Sequence, residues 1–155
     1  MVRAFLQNGV QSDYVSQYGA MMEWLVSANA HLEVLAELLK HGVDVDPVDS
    51  NGQTPLWIAC CRGSSAFSSL LLDFRARVDC TNREGLSSLF IAVYNGYNVV
   101  IDNLLTHGAS VDLANRQQQS PLWIASDKGY ADIAQLLLSK NAAIWAYHLQ
   151  FVVAT

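Results

Sequence analysis

The side chains of this 155-residue chain that could do covalent or metal chemistry are few. They are Cys60, Cys61 and Cys80, His31, His41, His107 and His148, and fourteen carboxylates. A nucleophilic thiol needs a cation or base beside it to lower its pKa, and a structural zinc site needs thiols or imidazoles at short fixed spacings. No C-x-x-C pair occurs, and three cysteines cannot all pair within the chain. Cys60 shares a repeating position with the small residues Val93 and Ser126, which assigns it to the core. Cys61 is expected to be more exposed, and nothing beside it in sequence argues for a lowered pKa. His41 and His107 directly precede Gly42 and Gly108, where an imidazole suits the negative end of a helix. His31 and His148 have no counterparts. Asp46, Asp79 and Asp112 recur at a constant 33-residue interval, as structural groups do and a catalytic pair would not. Phosphate-binding, zinc-protease and serine-hydrolase patterns are absent. We therefore expect no catalytic residue, no cofactor and no metal.

Bulk composition narrows the remaining classes. The net charge is -5 and the nine lysines and arginines are scattered, which argues against a nucleic-acid ligand. Apolar residues make up 52% of the chain and charged ones 15%, enough for a continuous core. No apolar run approaches the ~18 residues a membrane span requires, and Met1 to Val10 lacks a signal-peptide core. With no Asn-x-Ser/Thr sequon and an odd cysteine count, the reading is an intracellular protein of the cytoplasm, the nucleus or both.

The elements that carry these residues emerge from the glycines. All nine fall into three phases of a 33-residue period: Gly9, Gly42 and Gly108; Gly19, Gly52 and Gly85; Gly63, Gly96 and Gly129. The first group follows helical Leu-Leu patterns and reads as helix C′ positions, with Asn141 and Arg75 in the same phase. The second sits in polar turns, with Gln118 in place of its next member. The third separates two short helices. Thr54-Pro55-Leu56-Trp57-Ile58-Ala59 returns as Ser87-Ser88-Leu89-Phe90-Ile91-Ala92 and as Ser120-Pro121-Leu122-Trp123-Ile124-Ala125. Thr54, Ser87 and Ser120 are N-caps and Pro55 and Pro121 stand at N1, so a first helix runs from about Pro55 to Cys61 and again in each copy.

The second helix carries three apolar columns. They are Phe5, Leu38, Leu71, Leu104 and Leu137; Leu6, Leu39, Leu72, Leu105 and Leu138; and Val34, Phe67, Val100 and Ile133. Val45, Val78, Val111 and Ile144 follow the caps in one further phase. A unit of this size cannot bury its apolar face alone, so neighbouring copies must stack.

A 33-residue period carrying Thr54-Pro55-Leu56-x-x-Ala59 resembles the ankyrin repeat, and the resemblance runs from about Val2 to Ile144. It implies an all-α solenoid of helix-turn-helix units with β-hairpin fingers. It also implies protein binding on the fingers and the concave helix face. The organisation expected is a repeat domain over 1–144, divided into a partial repeat (1–15), a degenerate repeat (16–48) and repeats at 49–81, 82–114 and 115–144. An apolar tail follows at 145–155. Trp24, Trp57, Phe90 and Trp123 occupy a column that holds His in the family, so the hydrogen bonds of that His are expected to be lost to aromatic packing. The copy at Met21-Met22-Glu23-Trp24-Leu25-Val26 lacks the cap and proline.

Within that frame the polar tips Asp49-Ser50-Asn51, Asn82-Arg83-Glu84 and Asn115-Arg116-Gln117 should be the most exposed turns. The first-helix ends should present Cys61-Arg62, Tyr94-Asn95 and Asp127-Lys128. The candidate protein-binding residues are Arg62, Arg83, Tyr94, Asn95, Arg116, Asp127 and Lys128, with Arg62 and Tyr94 foremost because Arg and Tyr recur at binding hot spots. The leading function is a non-catalytic adaptor for partner proteins. The alternative is a fragment or spliced form of a longer array, such as the substrate-recruiting arm of a ubiquitin ligase or a regulatory region of a phosphatase, kinase or channel. Trp145, Tyr147 and Phe151 in the tail offer a self-association surface.

Overall fold

A computed structural model describes residues 32–142. The partial repeat, the Trp24 copy and the tail lie outside the described residues. Seven helices are described: α1 (Leu32–Lys40), α2 (Pro55–Cys61), α3 (Ser65–Asp73), α4 (Ser88–Asn95), α5 (Asn98–Thr106), α6 (Pro121–Asp127) and α7 (Ala131–Ser139). Within a repeat the first and second helices pack together, as α2 on α3, α4 on α5 and α6 on α7. Between repeats α2 packs on α4 and α4 on α6, while α1 packs on α3 and α3 on α5. The result is two layers of like helices running along one stack, the all-α solenoid that the period implies.

Each first helix begins as its sequence dictates. The side-chain oxygens of Thr54, Ser87 and Ser120 accept from the N–H groups of Trp57, Phe90 and Trp123 at 3.2, 3.0 and 3.2 Å. All three caps are buried, so each satisfies a donor that water cannot reach. Each helix ends in paired backbone bonds. Arg75 N–H donates to Leu72 and Ala76 N–H to Leu71; Gly108 and Ala109 do the same to Leu105 and Leu104, and Asn141 and Ala142 to Leu138 and Leu137. This is the Schellman arrangement, and it requires a left-handed residue at C′. Arg75 and Asn141 adopt it at φ 64° and 66° without being glycine.

The core follows the predicted columns. Leu71, Leu104 and Leu137 are fully buried, as are Phe67 and Val100, each contributing about 1.5–3 kcal/mol of burial. The column of Leu39 and Leu72 loosens along the stack: Leu105 is half-buried and Leu138 is 40% exposed. The Leu138 position was read as core.

The fingers are tight turns, with a single antiparallel bridge between Thr81 and Ser87 and no strand among the described residues. Their first residue is not a solvated tip, contrary to expectation. The carboxylate of Asp49 accepts from Asn51 and Gln53 N–H at 2.8 Å each. Asn82 does the same for Glu84 and Leu86 at 3.0 and 2.9 Å, and Asn115 for Gln117 and Gln119 at 2.9 Å each. This bonding draws Asn115 into the buried class and leaves Asp49 and Asn82 half-buried. Only the residues that follow them face water. Gln118 takes the turn-glycine position at φ 62°.

Candidate protein-binding face

The groups that bind one repeat to the next determine which side chains remain for a partner. The Asp46 carboxylate accepts from Arg77 N–H with both oxygens at 3.1 Å, and from Arg77 Nε at 3.3 Å. Asp79 repeats the motif one unit on, accepting from Ser110 N–H at 2.8 Å and from the Ser110 hydroxyl. These recurrent aspartates are inter-repeat clasps. Asn95, a candidate for partner contact, is largely spent in the same way: its amide donates to Ile91 O at 3.0 Å and reaches Cys61 O in the preceding repeat at 3.4 Å. It is half-buried.

Arg62, Tyr94, Asp127 and Lys128 lie exposed at the C-terminal ends of α2, α4 and α6. Two of them meet across the repeat boundary. The Lys128 ammonium sits 4.1 Å from the centroid of the Tyr94 ring, a cation–π contact. Tyr94 is 44% exposed, so the ring is held and presented at once.

Arg83 and Arg116 form the second row, on the fingers. Both are exposed, and each runs beside the turn glycine of the preceding finger. Arg83 N–H donates to Asn51 O at 2.9 Å, and the Cγ of Arg116 packs where a side chain on Gly85 would otherwise stand, 3.0 Å from that glycine's Cβ direction. A glycine in the turn thus allows the next finger's arginine to lie flat across it.

The former His column is not devoid of hydrogen bonds. The Trp57 indole Nε1 donates to Leu86 O, in the next repeat, at 2.9 Å. Phe90 has no such group and packs as a buried ring, as expected. Nδ1 of His41 and of His107 each lies 2.8 Å from the carbonyl four residues back, Glu37 O and Asn103 O, while His31 and His148 lie outside the described residues. Cys60 is fully buried and burial pushes its thiol far above the ordinary range, outweighing the opposing influence of the Ser88 hydroxyl. Burial also raises Cys61, against the pull of Arg62, and raises Cys80, against the pull of Arg77. Cys61 is half-buried rather than exposed. Among the described residues no three His, Cys, Asp or Glu side chains converge as metal ligands, and no helix is long and apolar enough to cross a membrane.

Two-helix units, left-handed caps, finger turns and aspartate clasps recur at one spacing. A family model of ankyrin repeats in three copies matches residues 1–79 and 65–147. The chain belongs to the ankyrin-repeat family. A search of curated proteins found no match to it. Ankyrin repeats are generally protein–protein interaction modules and typically non-catalytic. In this ankyrin stack the finger and first-helix side carries the exposed Arg62, Arg83, Tyr94, Arg116, Asp127 and Lys128. The cation–π pair and the approach of each finger arginine to the preceding turn glycine have no sequence signal of their own, because each depends on the offset between neighbouring repeats.

Proposed function

We propose that the chain is a non-catalytic adaptor that binds partner proteins through the first-helix ends and the fingers. The observation that carries this reading is Tyr94, an aromatic ring 44% exposed and held under the Lys128 ammonium. A ring already oriented loses little freedom on binding, and Tyr and Arg supply a large share of interface energy. Arg62, Arg83 and Arg116 flank it as exposed cations with long apolar stems. The three unpaired cysteines favour an intracellular setting.

The test is affinity capture from a lysate of cells that express the protein. Wild type is compared with a variant carrying Arg62→Ala, Arg83→Ala, Tyr94→Ala and Arg116→Ala, after circular dichroism shows both are folded. A partner retained by wild type and lost by the variant supports the assignment. Equal capture by both moves the binding surface elsewhere.

A further inference from the structure

Charge is divided between the two sides of the stack. The second helices and their C-terminal caps present Glu33, Glu37, Asp73, Asp102 and Asp132 as exposed carboxylates against three exposed cations, Lys40, Arg75 and Lys140, of which Lys40 lies 3.6 Å from Glu37. The first helices, their C-terminal caps and the fingers present Arg62, Arg83, Arg116 and Lys128. Against these stand the exposed Glu84 and Asp127; the Asp49 carboxylate is engaged by the N–H groups of Asn51 and Gln53. A chain of net charge -5 therefore concentrates exposed positive charge on the side that carries the presented tyrosine.

We infer that this face takes an acidic protein segment, one that sets carboxylates against Arg83, Arg116 and Lys128 and an apolar side chain against Tyr94. The inference rests on the protein-binding reading and specifies its partner. Guanidinium groups pair with carboxylates through two parallel hydrogen bonds, a geometry that suits exposed arginines to an acidic segment. The acidic second-helix side repels the same segment and leaves one side of the stack for docking. Nucleic acid would also seek cations, but the acidic remainder of the molecule opposes a long polyanion.

The experiment measures fluorescence anisotropy with three labelled probes. They are a random peptide pool of Asp, Glu, Leu and Tyr, a matched pool with Asn and Gln in place of Asp and Glu, and a single-stranded oligo-dT. The face variant carries Arg83→Gln, Arg116→Gln and Lys128→Gln, in which Gln keeps the Cγ that lies against the preceding finger. The control carries Lys40→Gln, Arg75→Gln and Lys140→Gln, removing equal charge elsewhere. We expect the acidic pool to bind wild type and the control alike. It should bind the face variant at least ~10-fold more weakly, and wild type more weakly as salt rises from about 0.15 M. Equal losses in both variants, equal binding of the amide pool, or tighter binding of oligo-dT would each overturn the inference. A lysate partner lost with Tyr94→Ala but retained by the face variant would also overturn it, while leaving the protein-binding reading intact.

Discussion

The indole nitrogen of Trp57 donates to the carbonyl oxygen of Leu86 at 2.9 Å, joining the first helix of one repeat to the finger of the next. Trp57 itself is buried, so the bond lies beside a ring that excludes water from one side of it. The same column holds Phe90, which shows that a benzyl ring fits the stack but cannot donate.

Replacing Trp57 with Phe should therefore remove the donor together with part of the indole's buried area. We expect a loss of roughly 1 kcal/mol. It would be read in urea unfolding as a lower midpoint at an unchanged slope. An unchanged midpoint would mean that the indole bond contributes nothing net.

Ser88 occupies the phase of Pro55 and Pro121, and its hydroxyl is buried without a hydrogen bond of normal geometry. The preceding residue, Ser87, already has the extended backbone that a following proline demands, at φ -77° and ψ 164°. Ser88→Pro should thus stabilise the protein by roughly 0.4–1 kcal/mol, by restricting the unfolded chain. A thermal melt should move up; a lower Tm would show that the hydroxyl has a partner that matters.

Gly63 and Gly129 share a backbone conformation, at φ 70° and 72°, but not a neighbourhood. A Cβ on Gly63 would stand 2.9 Å from the Tyr97 ring, while one on Gly129 meets nothing within 4 Å. Alanine at Gly129 should cost ~1 kcal/mol for the left-handed backbone alone, and alanine at Gly63 distinctly more. Equal costs, measured by denaturant titration, would show that Tyr97 moves aside freely.

Thiol titration follows from the burial of Cys60. Its folded pKa is raised above its unfolded value, so the native state keeps a proton that the unfolded state gives up. Stability should be level below the unfolded thiol pKa of about 8.5 and fall as pH climbs above it. Cys60→Ala should flatten that fall after allowance for its lower starting stability. In the native state at neutral pH, Cys60 should resist a thiol reagent while Cys61 and Cys80 react slowly.

Local chemistry makes much of this architecture legible in the sequence. Thr54 before Pro55, and the Leu71-Leu72 pair before a left-handed residue, act within one helical turn, so their sequence neighbours suffice to identify them. Arg75 and Gln118 could be placed at positive φ from their phase alone. What escaped depends on contact between repeats. Trp57 reaches a carbonyl 29 positions away, and Lys128 reaches a ring 34 positions away. Asn115 looked like a solvated tip because asparagine favours turns, yet the two N–H groups it accepts draw it inward. Leu138 shares the periodicity of a core leucine yet is exposed, in a column whose burial already loosens at Leu105.

The most direct test of the binding face is site-specific photo-crosslinking in a lysate of cells that express the protein. A benzophenone amino acid is placed at Tyr94 in one sample and at Val99, 64% exposed on α5, in another. The account predicts a crosslinked protein from position 94 that excess unlabelled wild type competes away, and none from position 99. A competed product from position 99 alone would contradict it and assign binding to the second-helix side.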